Sequence, residues 1–340
     1  MKFMQRKCTI VIGGSGTIGR RLIRRLAAEE GLLVVACLHR SPLPDWVMEG
    51  GASVICEYGV DVRNYESLSS VFRKYGTRVE CVWNLAAPLS VDTAKDPDAA
   101  REITVGGMQR ILKAMHETGC KKICFTDSIG SYGSNAPREM ATASWLADNP
   151  HQDPGSDYGR FKRGCREAMA RYADAFGFDC RWAVVPGVLH TDDVWGSGTT
   201  EYALSACEQF SEGKRVVFPL SPDTRLPMIH SDDLITGLIA LQLAPPCALL
   251  EKQSGYALAG FSFSARELFQ YLKKVDSKIP DFAVEYDDSI KTFSELWPDT
   301  LDPRPARRDL KFVAQRGMED TIREILAAWI RRSISLGSSV

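Results

Sequence analysis

A glycine triplet near the amino terminus is the feature that most constrains the fold of this chain. Gly13, Gly16 and Gly19 lie between the apolar segment KCTIVI and the helical pattern TIGRRLIRRLAAEEG. Glycines at this spacing permit a tight turn, a close approach of the backbone to a pyrophosphate, and close packing of helix against strand. The N-terminus of the following helix attracts an anion. The segment therefore predicts a dinucleotide-binding turn, and the alternative is a glycine-rich turn that holds no ligand.

Strand and helix patterns alternate through the first half of the chain. Five further apolar segments follow the first strand: LLVVACL, ASVICEYGVDV, VECVWNLAAPL, KKICFTDSIGSYG and DCRWAVVPGV. Apolar strands that do not alternate with polar residues are typical of a parallel sheet covered by helices on both faces. We therefore predict an α/β fold of the Rossmann type, a doubly wound parallel sheet. Long helices are predicted from Ala99 to Gly119 and over YGRFKRGCREAMARYADAFG.

The pattern changes after about Gly187, where loops lengthen and Pro and Gly become more frequent. We predict a dinucleotide-binding domain over residues 1–187, to which residues 223–245 return. A smaller substrate-binding lobe is predicted mainly over residues 188–340. The loop at 190–198 is a candidate gate that closes over the substrate.

Composition argues against several other classes of protein. The chain has 340 residues and a net charge of −1, so no global field favours nucleic acid or an anionic membrane. No apolar run approaches the roughly 20 residues that span a bilayer, and we expect no signal peptide or long transit peptide. The ten cysteines form no CxxC and the five histidines no HxxxH. These patterns predict buried thiols in a reducing compartment and no metal site.

The pair Tyr158 and Lys162 in DYGRFK is the first candidate for chemistry. Residues four apart on a helix share a face, and a nearby ammonium stabilises a phenolate. Such a phenolate can take the proton of an alcohol while hydride leaves the carbon. Ser128 ends the fifth strand, at the sheet edge where ligands bind, and would hydrogen-bond the substrate oxygen. The alternatives are a solvated Tyr–Lys pair and a serine that satisfies backbone groups in a turn.

The second strand lacks the acid that commonly holds an adenosine ribose. Leu38 occupies that position, and His39 and Arg40 follow it. An arginine there can face a ribose 2′-phosphate, stack on adenine, or remain a solvated loop charge. Asp61 and Val62 end the third strand, where a carboxylate could reach the adenine amino group. The residues alone therefore leave NAD and NADP open.

The glycine triplet, NLAA at 84–87, Ser128 and the Tyr158/Lys162 pair together resemble the extended short-chain dehydrogenase/reductase family over nearly the whole chain. The resemblance implies a Rossmann fold, a nicotinamide dinucleotide and Ser–Tyr–Lys catalysis. The cofactor contacts that we expect are Gly13, Ser15, Gly16, Thr17, Ile18, Gly19, Leu38, His39, Arg40, Asp61, Val62, Leu85, Ala86, Ala87, Tyr158, Lys162 and Val188.

Four segments are similar to one branch of that family, the short-chain-type L-threonine 3-dehydrogenases. They are SIGSYGSNAPRE (128–139), PGVLHTDDVWGSGTTEYA (186–203), DTRLPMIHSDDL (223–234) and WPDTLDPRPARRDL (297–310). The branch implies NAD-dependent oxidation of the threonine β-hydroxyl to 2-amino-3-oxobutyrate, in threonine catabolism toward glycine and acetyl-CoA. The substrate contacts that it implies are Ser90, Ser128, Tyr158, Gly198, Thr199, Thr200 and Trp297.

Several positions depart from the branch. Leu38 replaces the usual acid, Thr104 an asparagine, Gly155 an arginine, and Leu310 with Lys311 a Trp-Gly pair. These departures leave room for a shifted substrate.

Some of the implied substrate contacts also have a purely structural interpretation. Thr199 and Thr200 precede the helical pattern EYALSACEQF, and we expect one of them to cap that helix. Trp297 could pack in the core of the smaller lobe.

Three alternatives to a threonine dehydrogenase remain. The first is another extended short-chain enzyme, such as a carbonyl reductase or a sugar-nucleotide epimerase, although an epimerase needs cationic anchors for a diphosphate. The second is a dinucleotide sensor without activity, which would not need a proton-transfer pair. The third is a structural or interaction protein.

The resemblance also implies several properties beyond the reaction. We expect NAD as cofactor, with NADP still open, a small-molecule substrate, a homodimer and an intracellular location. That location is the mitochondrial matrix for a eukaryotic chain and the cytoplasm otherwise.

Overall fold

The structure is a computed structural model that describes residues 6–49, 53–192 and 198–337, with side chains up to Arg331. Seven strands within these residues form one parallel sheet: β1 (Cys8–Ile12), β2 (Leu33–Leu38), β3 (Val54–Tyr58), β4 (Val79–Asn84), β5 (Lys122–Ser128), β6 (Asp179–Val185) and β10 (Gly255–Ala257). The spatial order is β3-β2-β1-β4-β5-β6-β10. The predicted α/β class with a parallel Rossmann-type sheet is confirmed. The order reverses between β1 and β4, and open α/β sheets bind ligands at such a switch point.

Helices cover both faces of the sheet. The first part of the chain contributes α1 (Thr17–Ala27), α2 (Asp45–Met48), α3 (Tyr65–Tyr75), α4 (Ser90–Lys95), α5 (Pro97–Arg101), α6 (Gly107–Thr118), α7 (Ala143–Asp148) and α8 (Asp157–Phe176). Apolar side chains of α3, α6 and α8 pack on one face of the sheet. Apolar side chains of α1 pack on the other face. Because strands in the middle of the sheet are buried on both sides, β1 and β2 are apolar at every buried position except Thr9.

The long helix predicted from Ala99 to Gly119 is present but not uniform. A π-helical turn at Glu102–Gly106 joins α5 to α6, and Gly119 ends the helix with a left-handed φ of 80°. The carbonyl of Thr104, inside the π turn, accepts a hydrogen bond from the Cys165 thiol of α8 at 3.3 Å. The π turn thus lies against the helix that carries Tyr158, and π turns are frequent near functional sites.

The later part of the chain forms two small sheets and six further helices within the described residues. The strands are β7 (Gly187–Leu189), β8 (Val217–Phe218), β9 (Arg225–His230), β11 (Phe261–Ser264) and β12 (Ala283–Val284). The helices are α9 (Tyr202–Ser211), α10 (Ser231–Leu243), α11 (Ala265–Val275), α12 (Asp288–Leu296), α13 (Arg304–Leu310) and α14 (Met318–Gly337). Apolar residues of α10 pack in the same cluster as those of α1.

All ten cysteines are free thiols, and most are buried. Burial raises the pKa of the Cys165 thiol to about 12 and that of Cys8 to about 11, so these thiols stay protonated and unreactive at neutral pH. Among the described residues no cluster of His, Cys, Asp and Glu could hold a metal ion. No helix of the described chain combines the length and the apolar character that a bilayer crossing requires.

Candidate active site

The glycine-rich turn connects β1 to α1 and leaves a cradle that side chains would fill. Gly13 has a φ of 80°, and a Cβ there would lie 2.8 Å from the backbone nitrogen of Ala86. A Cβ on Gly19 would overlap the carbonyl oxygen of Gly13. Gly16 is the N-cap of α1, and no side chain caps the helix. The first amides of α1 therefore stay available for an anion, and the turn fits a dinucleotide pyrophosphate.

A cavity of about 370 Å³ extends from this turn along the carboxyl edge of the sheet. It joins the predicted phosphate end to the predicted chemical end, and its volume is in the range of ligand sites. The predicted residues that line it are Gly13, Gly16, Thr17, Ile18, Gly19, Leu85, Ala87, Ser90, Ser128, Tyr158, Lys162, Val188, Gly198, Thr199, Thr200 and Trp297.

The other predicted residues do not line this cavity: Ser15, Leu38, His39, Arg40, Asp61, Val62 and Ala86. Most of them belong to the expected adenosine end, beyond the glycine turn. Of the candidate gate at 190–198, residues 193–197 lie outside the described residues.

Tyr158 and Lys162 stand one turn apart near the start of α8, and both face the cavity. The Lys162 ammonium donates to the carbonyl of Thr126 at 2.8 Å and lies 5.5 Å from the centroid of the Tyr158 ring. One of its three hydrogens is thus used, and two remain for a ligand or a phenolate. Within the described chain the Tyr158 hydroxyl has no hydrogen-bond partner, so it is available to a substrate oxygen.

Two glycines bring Tyr158 close to the end of β5. A Cβ on Gly159 would overlap the carbonyl oxygen of Gly130, and a Cβ on Gly130 would lie 2.9 Å from Cδ1 of Tyr158. The first turn of α8 therefore packs directly on the backbone that follows Ser128. The small residue inside DYGRFK is required by this contact, whereas the sequence pattern gave no reason for it.

Ser128 combines both roles that the sequence left open. Its hydroxyl oxygen accepts from the amide of Gly130 at 3.1 Å and so caps a short 3₁₀ turn at Ile129–Ser131. The hydroxyl hydrogen and one lone pair remain. Ser128 can therefore stabilise the turn and still donate to a ligand in the cavity that it lines.

A buried ion pair between Asp127 and Arg166 lies beside these residues and was not predicted. The Asp127 carboxylate also accepts from the amide of Ser128 at 2.8 Å and from the Ser131 hydroxyl. The side chains of Arg166 and Asp127 are 5% and 0% exposed. The four-residue step from Lys162 to Arg166 was the available signal, since it places Arg166 on the same buried face of α8.

Ser90 and Thr199 meet across the cavity although they are 109 positions apart. Their hydroxyl oxygens lie 2.9 Å apart, and the amide of Thr199 donates to the Ser90 hydroxyl at 3.2 Å. One hydroxyl must donate to the other, so one hydroxyl hydrogen of the pair is left for a ligand.

The prediction that Thr199 or Thr200 caps the following helix is wrong. Thr199–Glu201 form a 3₁₀ turn whose N-cap is Gly198, and α9 begins after Glu201; neither has a side-chain cap. The Thr199 hydroxyl is directed to Ser90 instead.

Trp297 is both a core residue and part of the cavity wall. Its side chain is 3% exposed, and the buried indole Nε1–H has no hydrogen-bond partner in the described structure. Buried polar groups are nearly always hydrogen-bonded, so this N–H is an unsatisfied donor of a residue that also forms part of the cavity wall.

Further acidic and basic residues line the cavity and were missed from the sequence: Asp92, Asp127, His190 and Glu201. They come from four different segments, and no local pattern marked them. The cavity lining contains three carboxylates and one lysine, and no arginine lines it within the described residues.

Asp192, in the segment after β7, forms ion pairs with the N-terminal part of α1. Its carboxylate pairs with Arg20, and with Arg21 at 2.7 Å. Burial raises the pKa of Asp192, but the two guanidinium groups more than offset this, and its pKa is held below the usual range. The Asp192 carboxylate therefore stays ionised at neutral pH, next to the phosphate cradle.

A family comparison accounts for this combination of turn, cavity and tyrosine–lysine pair. Residues 9–245 match the profile of the NAD dependent epimerase/dehydratase family. The chain belongs to this family. Members are extended short-chain dehydrogenases/reductases, and the family implies a nicotinamide dinucleotide as cofactor.

Relatives within the family include both dehydrogenases and epimerases. The chain is 27% identical over 305 residues to the mitochondrial L-threonine 3-dehydrogenase of Sus scrofa, covering 88% of this chain and 76% of that protein. The crystal structure of L-threonine dehydrogenase from Clostridium difficile superposes with a TM-score of 0.84 at 24% identity, covering 97% of this chain and 99% of the other. UDP-glucose 4-epimerase of Thermotoga maritima superposes with a TM-score of 0.79 at 18% identity, over 96% and 99% of the two chains. At these identities the structural matches show the fold alone, whereas family and relatives together indicate a nicotinamide-dependent oxidoreductase.

Proposed function

We propose that this protein oxidises L-threonine at its β-hydroxyl to 2-amino-3-oxobutyrate, with NAD or NADP as the hydride acceptor. The observation that carries the proposal is one cavity that holds the unpartnered Tyr158 phenol, Lys162, Ser128 and a small hydroxyl-lined end. The pig relative, whose name states this activity, supports the choice of substrate.

The proposed chemistry uses three side chains that already lie together. The free hydrogen of Ser128 donates to the substrate hydroxyl oxygen and orients it toward Tyr158. Tyr158, as the phenolate, takes the hydroxyl proton as the carbon–hydrogen bond breaks. The two unused hydrogens of Lys162 stabilise the phenolate and hold the cofactor ribose. When bound, the dinucleotide supplies the acceptor for the hydride.

The far end of the cavity offers both kinds of group that a zwitterionic amino acid needs. The spare hydroxyl hydrogen of the Ser90–Thr199 pair can donate to a carboxylate. The cavity wall also contains the carboxylate of Glu201 and that of Asp92, which lies 3.3 Å from the Lys95 ammonium. Their negative charge can attract an ammonium group.

The same lining disfavours a sugar-nucleotide substrate. A nucleotide sugar carries a diphosphate, which is usually bound by arginine or lysine. The described residues that line the cavity include one lysine, Lys162, and no arginine. The wall beyond Tyr158 is acidic and hydroxyl-rich instead, which suits a small ammonium-bearing substrate.

A spectrophotometric scan tests the proposal. Purified protein with NAD, and separately with NADP, is mixed with L-threonine, L-serine, 3-hydroxybutyrate, simple alcohols or UDP-glucose, and the reduced dinucleotide is followed. We expect the highest kcat/KM with L-threonine. Turnover of 3-hydroxybutyrate or of a simple alcohol with higher kcat/KM contradicts the amino-acid assignment. Interconversion of UDP-glucose without net dinucleotide reduction favours the epimerase alternative.

The assembly and location of the protein remain proposals from the family resemblance. We propose a homodimer, which sedimentation of the purified chain can measure. We also propose an intracellular site of action, in the mitochondrial matrix if the chain is eukaryotic and otherwise in the cytoplasm.

A further inference from the structure

We propose that the adenosine end of the site is built for a ribose 2′-phosphate, so that the protein binds NADP in preference to NAD. The inference rests on the dinucleotide site of the proposed function and concerns the cofactor rather than the substrate. The sequence left both dinucleotides open and favoured NAD from the resemblance. Three features at the carboxyl ends of β2 and β3 favour NADP.

The first feature is Leu38, the last residue of β2. It is 1% exposed, and a Cβ on Gly14 would lie 3.2 Å from its Cδ2 atom. The leucine side chain therefore packs directly behind the glycine-rich turn, where NAD-binding folds place a carboxylate for the ribose hydroxyls. An aliphatic chain offers these hydroxyls no acceptor. It also removes the negative charge that would repel a 2′-phosphate.

The second feature is that the neighbouring carboxylate is already neutralised. Asp61, after β3, accepts three hydrogen bonds from the Arg63 guanidinium: Nε donates to both carboxylate oxygens at 3.1 Å, and one Nη donates at 2.8 Å. The Arg63 amide donates to it at 2.9 Å. Its Oδ2 also lies 3.5 Å from Nε2 of His39. The hydrogen bonds from Arg63 lower the pKa of Asp61 to about 2. Asp61 is therefore ionised but paired, and it neither replaces the missing ribose acid nor leaves an uncompensated negative charge.

The third feature is Arg40, two residues beyond Leu38. It is exposed, and none of the described residues forms a hydrogen bond or an ion pair with it. By contrast, Arg20 and Arg21 near the pyrophosphate cradle are both paired with Asp192. Arg40 thus has all five donors of its guanidinium free, and this planar group suits the bidentate binding of a phosphate dianion.

Binding of nucleotide fragments tests this inference independently of any turnover. Isothermal titration of the full-length protein compares adenosine 2′,5′-bisphosphate with 5′-AMP, which differ by the 2′-phosphate alone, and then NADP with NAD. We expect the bisphosphate to bind at least about 10-fold more tightly than AMP, and NADP more tightly than NAD, since hydrogen bonds to charged groups are the strong ones. Equal affinities, or tighter binding of AMP, would overturn the inference.

Two variants and a control test which residues cause the preference for the 2′-phosphate. Arg40→Gln should reduce the preference for the bisphosphate to within about 3-fold, with AMP affinity unchanged. Arg73→Gln is the matched control, because it removes one positive charge from the exposed side of α3, where Arg73 pairs with Glu66. Leu38→Asp should reverse the preference toward NAD. An Arg40→Gln protein that keeps the full preference, or a control that loses it equally, overturns the role of Arg40.

The result of the fragment-binding experiment does not depend on whether the protein oxidises L-threonine. The fragments contain no nicotinamide and need no substrate, so a protein that prefers the bisphosphate but does not oxidise threonine supports this inference while contradicting the proposed substrate. A protein that binds neither fragment overturns the inference together with the dinucleotide site.

Discussion

Arg166 and Asp127 form an ion pair inside the protein, with the Arg166 guanidinium 5.0 Å above the ring of Trp182. Asp127 lies between Thr126, whose carbonyl accepts from Lys162, and Ser128, whose amide donates to the Asp127 carboxylate. The pair therefore joins α8 to the end of β5 at the point where both carry candidate catalytic side chains.

Removal of one partner of this pair should destabilise the protein strongly. Arg166→Met leaves the buried Asp127 carboxylate uncompensated, and we expect a loss of about 3–5 kcal/mol in the free energy of unfolding. The double variant with Asp127→Asn removes both charges of the pair and should recover much of that loss. Urea denaturation measures both. An Arg166→Met protein that unfolds at the wild-type urea concentration contradicts a structural role for the pair.

Replacement Tyr158→Phe should remove turnover without removing dinucleotide binding. The ring and its packing on Gly130 are kept, and only the hydroxyl that takes the proton is lost. We expect kcat to fall by about 1,000-fold or more, as for loss of a general acid–base group. The matched control is Tyr172→Phe, on the same helix but packed against Phe176 and Phe178. Near-normal activity of the Tyr158→Phe enzyme would show that another group takes the proton.

Thr199→Val should weaken substrate binding more than it slows the chemical step. Valine keeps the shape of threonine but breaks the hydroxyl contact with Ser90, which leaves the proposed carboxylate site disordered. We expect KM for L-threonine to rise about 10-fold, with a smaller change in kcat. Thr236→Val is the control, since that hydroxyl is exposed and donates to the carbonyl of Asp232 on α10. Equal effects of the two variants on KM would argue against a substrate role for Thr199.

His230 should make stability depend on pH below neutrality. Its side chain is 2% exposed, and its Nδ1 atom accepts from the amide of Asp232 at 3.1 Å, which caps α10. Burial lowers the pKa of His230, and Arg316 adds to this effect. The carboxylates of Asp232, Asp233 and Glu324 oppose it. The ring is therefore neutral in the folded protein at a pH where an unfolded histidine takes up a proton.

The sign of the pH effect follows from the lowered pKa. The unfolded state binds more protons below about pH 6.5, so this contribution is complete above that pH and is lost as the pH falls toward the native pKa. We expect the free energy of unfolding, measured in urea at pH 7, 6 and 5, to decrease as the pH is lowered, by up to about 1.4 kcal/mol per pH unit. His230→Asn keeps a capping oxygen and should flatten the curve. Parallel curves for the two proteins would exclude His230 as the cause.

The elements of the fold could be predicted because their signals are local. The glycine triplet, the apolar strands and the face shared by Tyr158 and Lys162 all follow from spacing within a few residues. The strand Gly255–Ala257 was not predicted, since three residues carry no periodicity and this strand exists through its pairing with β6. The threonine cap was predicted wrongly because a hydroxyl 109 positions away competes for the same side chain.

The sequence by itself determined the parallel α/β architecture, the dinucleotide turn and the helix that presents the tyrosine–lysine pair. Backbone preferences and hydrophobic periodicity depend on residues that are close together in the sequence, so these features can be predicted from short segments. Only the tertiary structure decided that Ser90 meets Thr199, that Arg166 neutralises Asp127, and that Trp297 closes the same cavity as Gly13. These contacts depend on how distant segments pack, and no spacing along the chain encodes that.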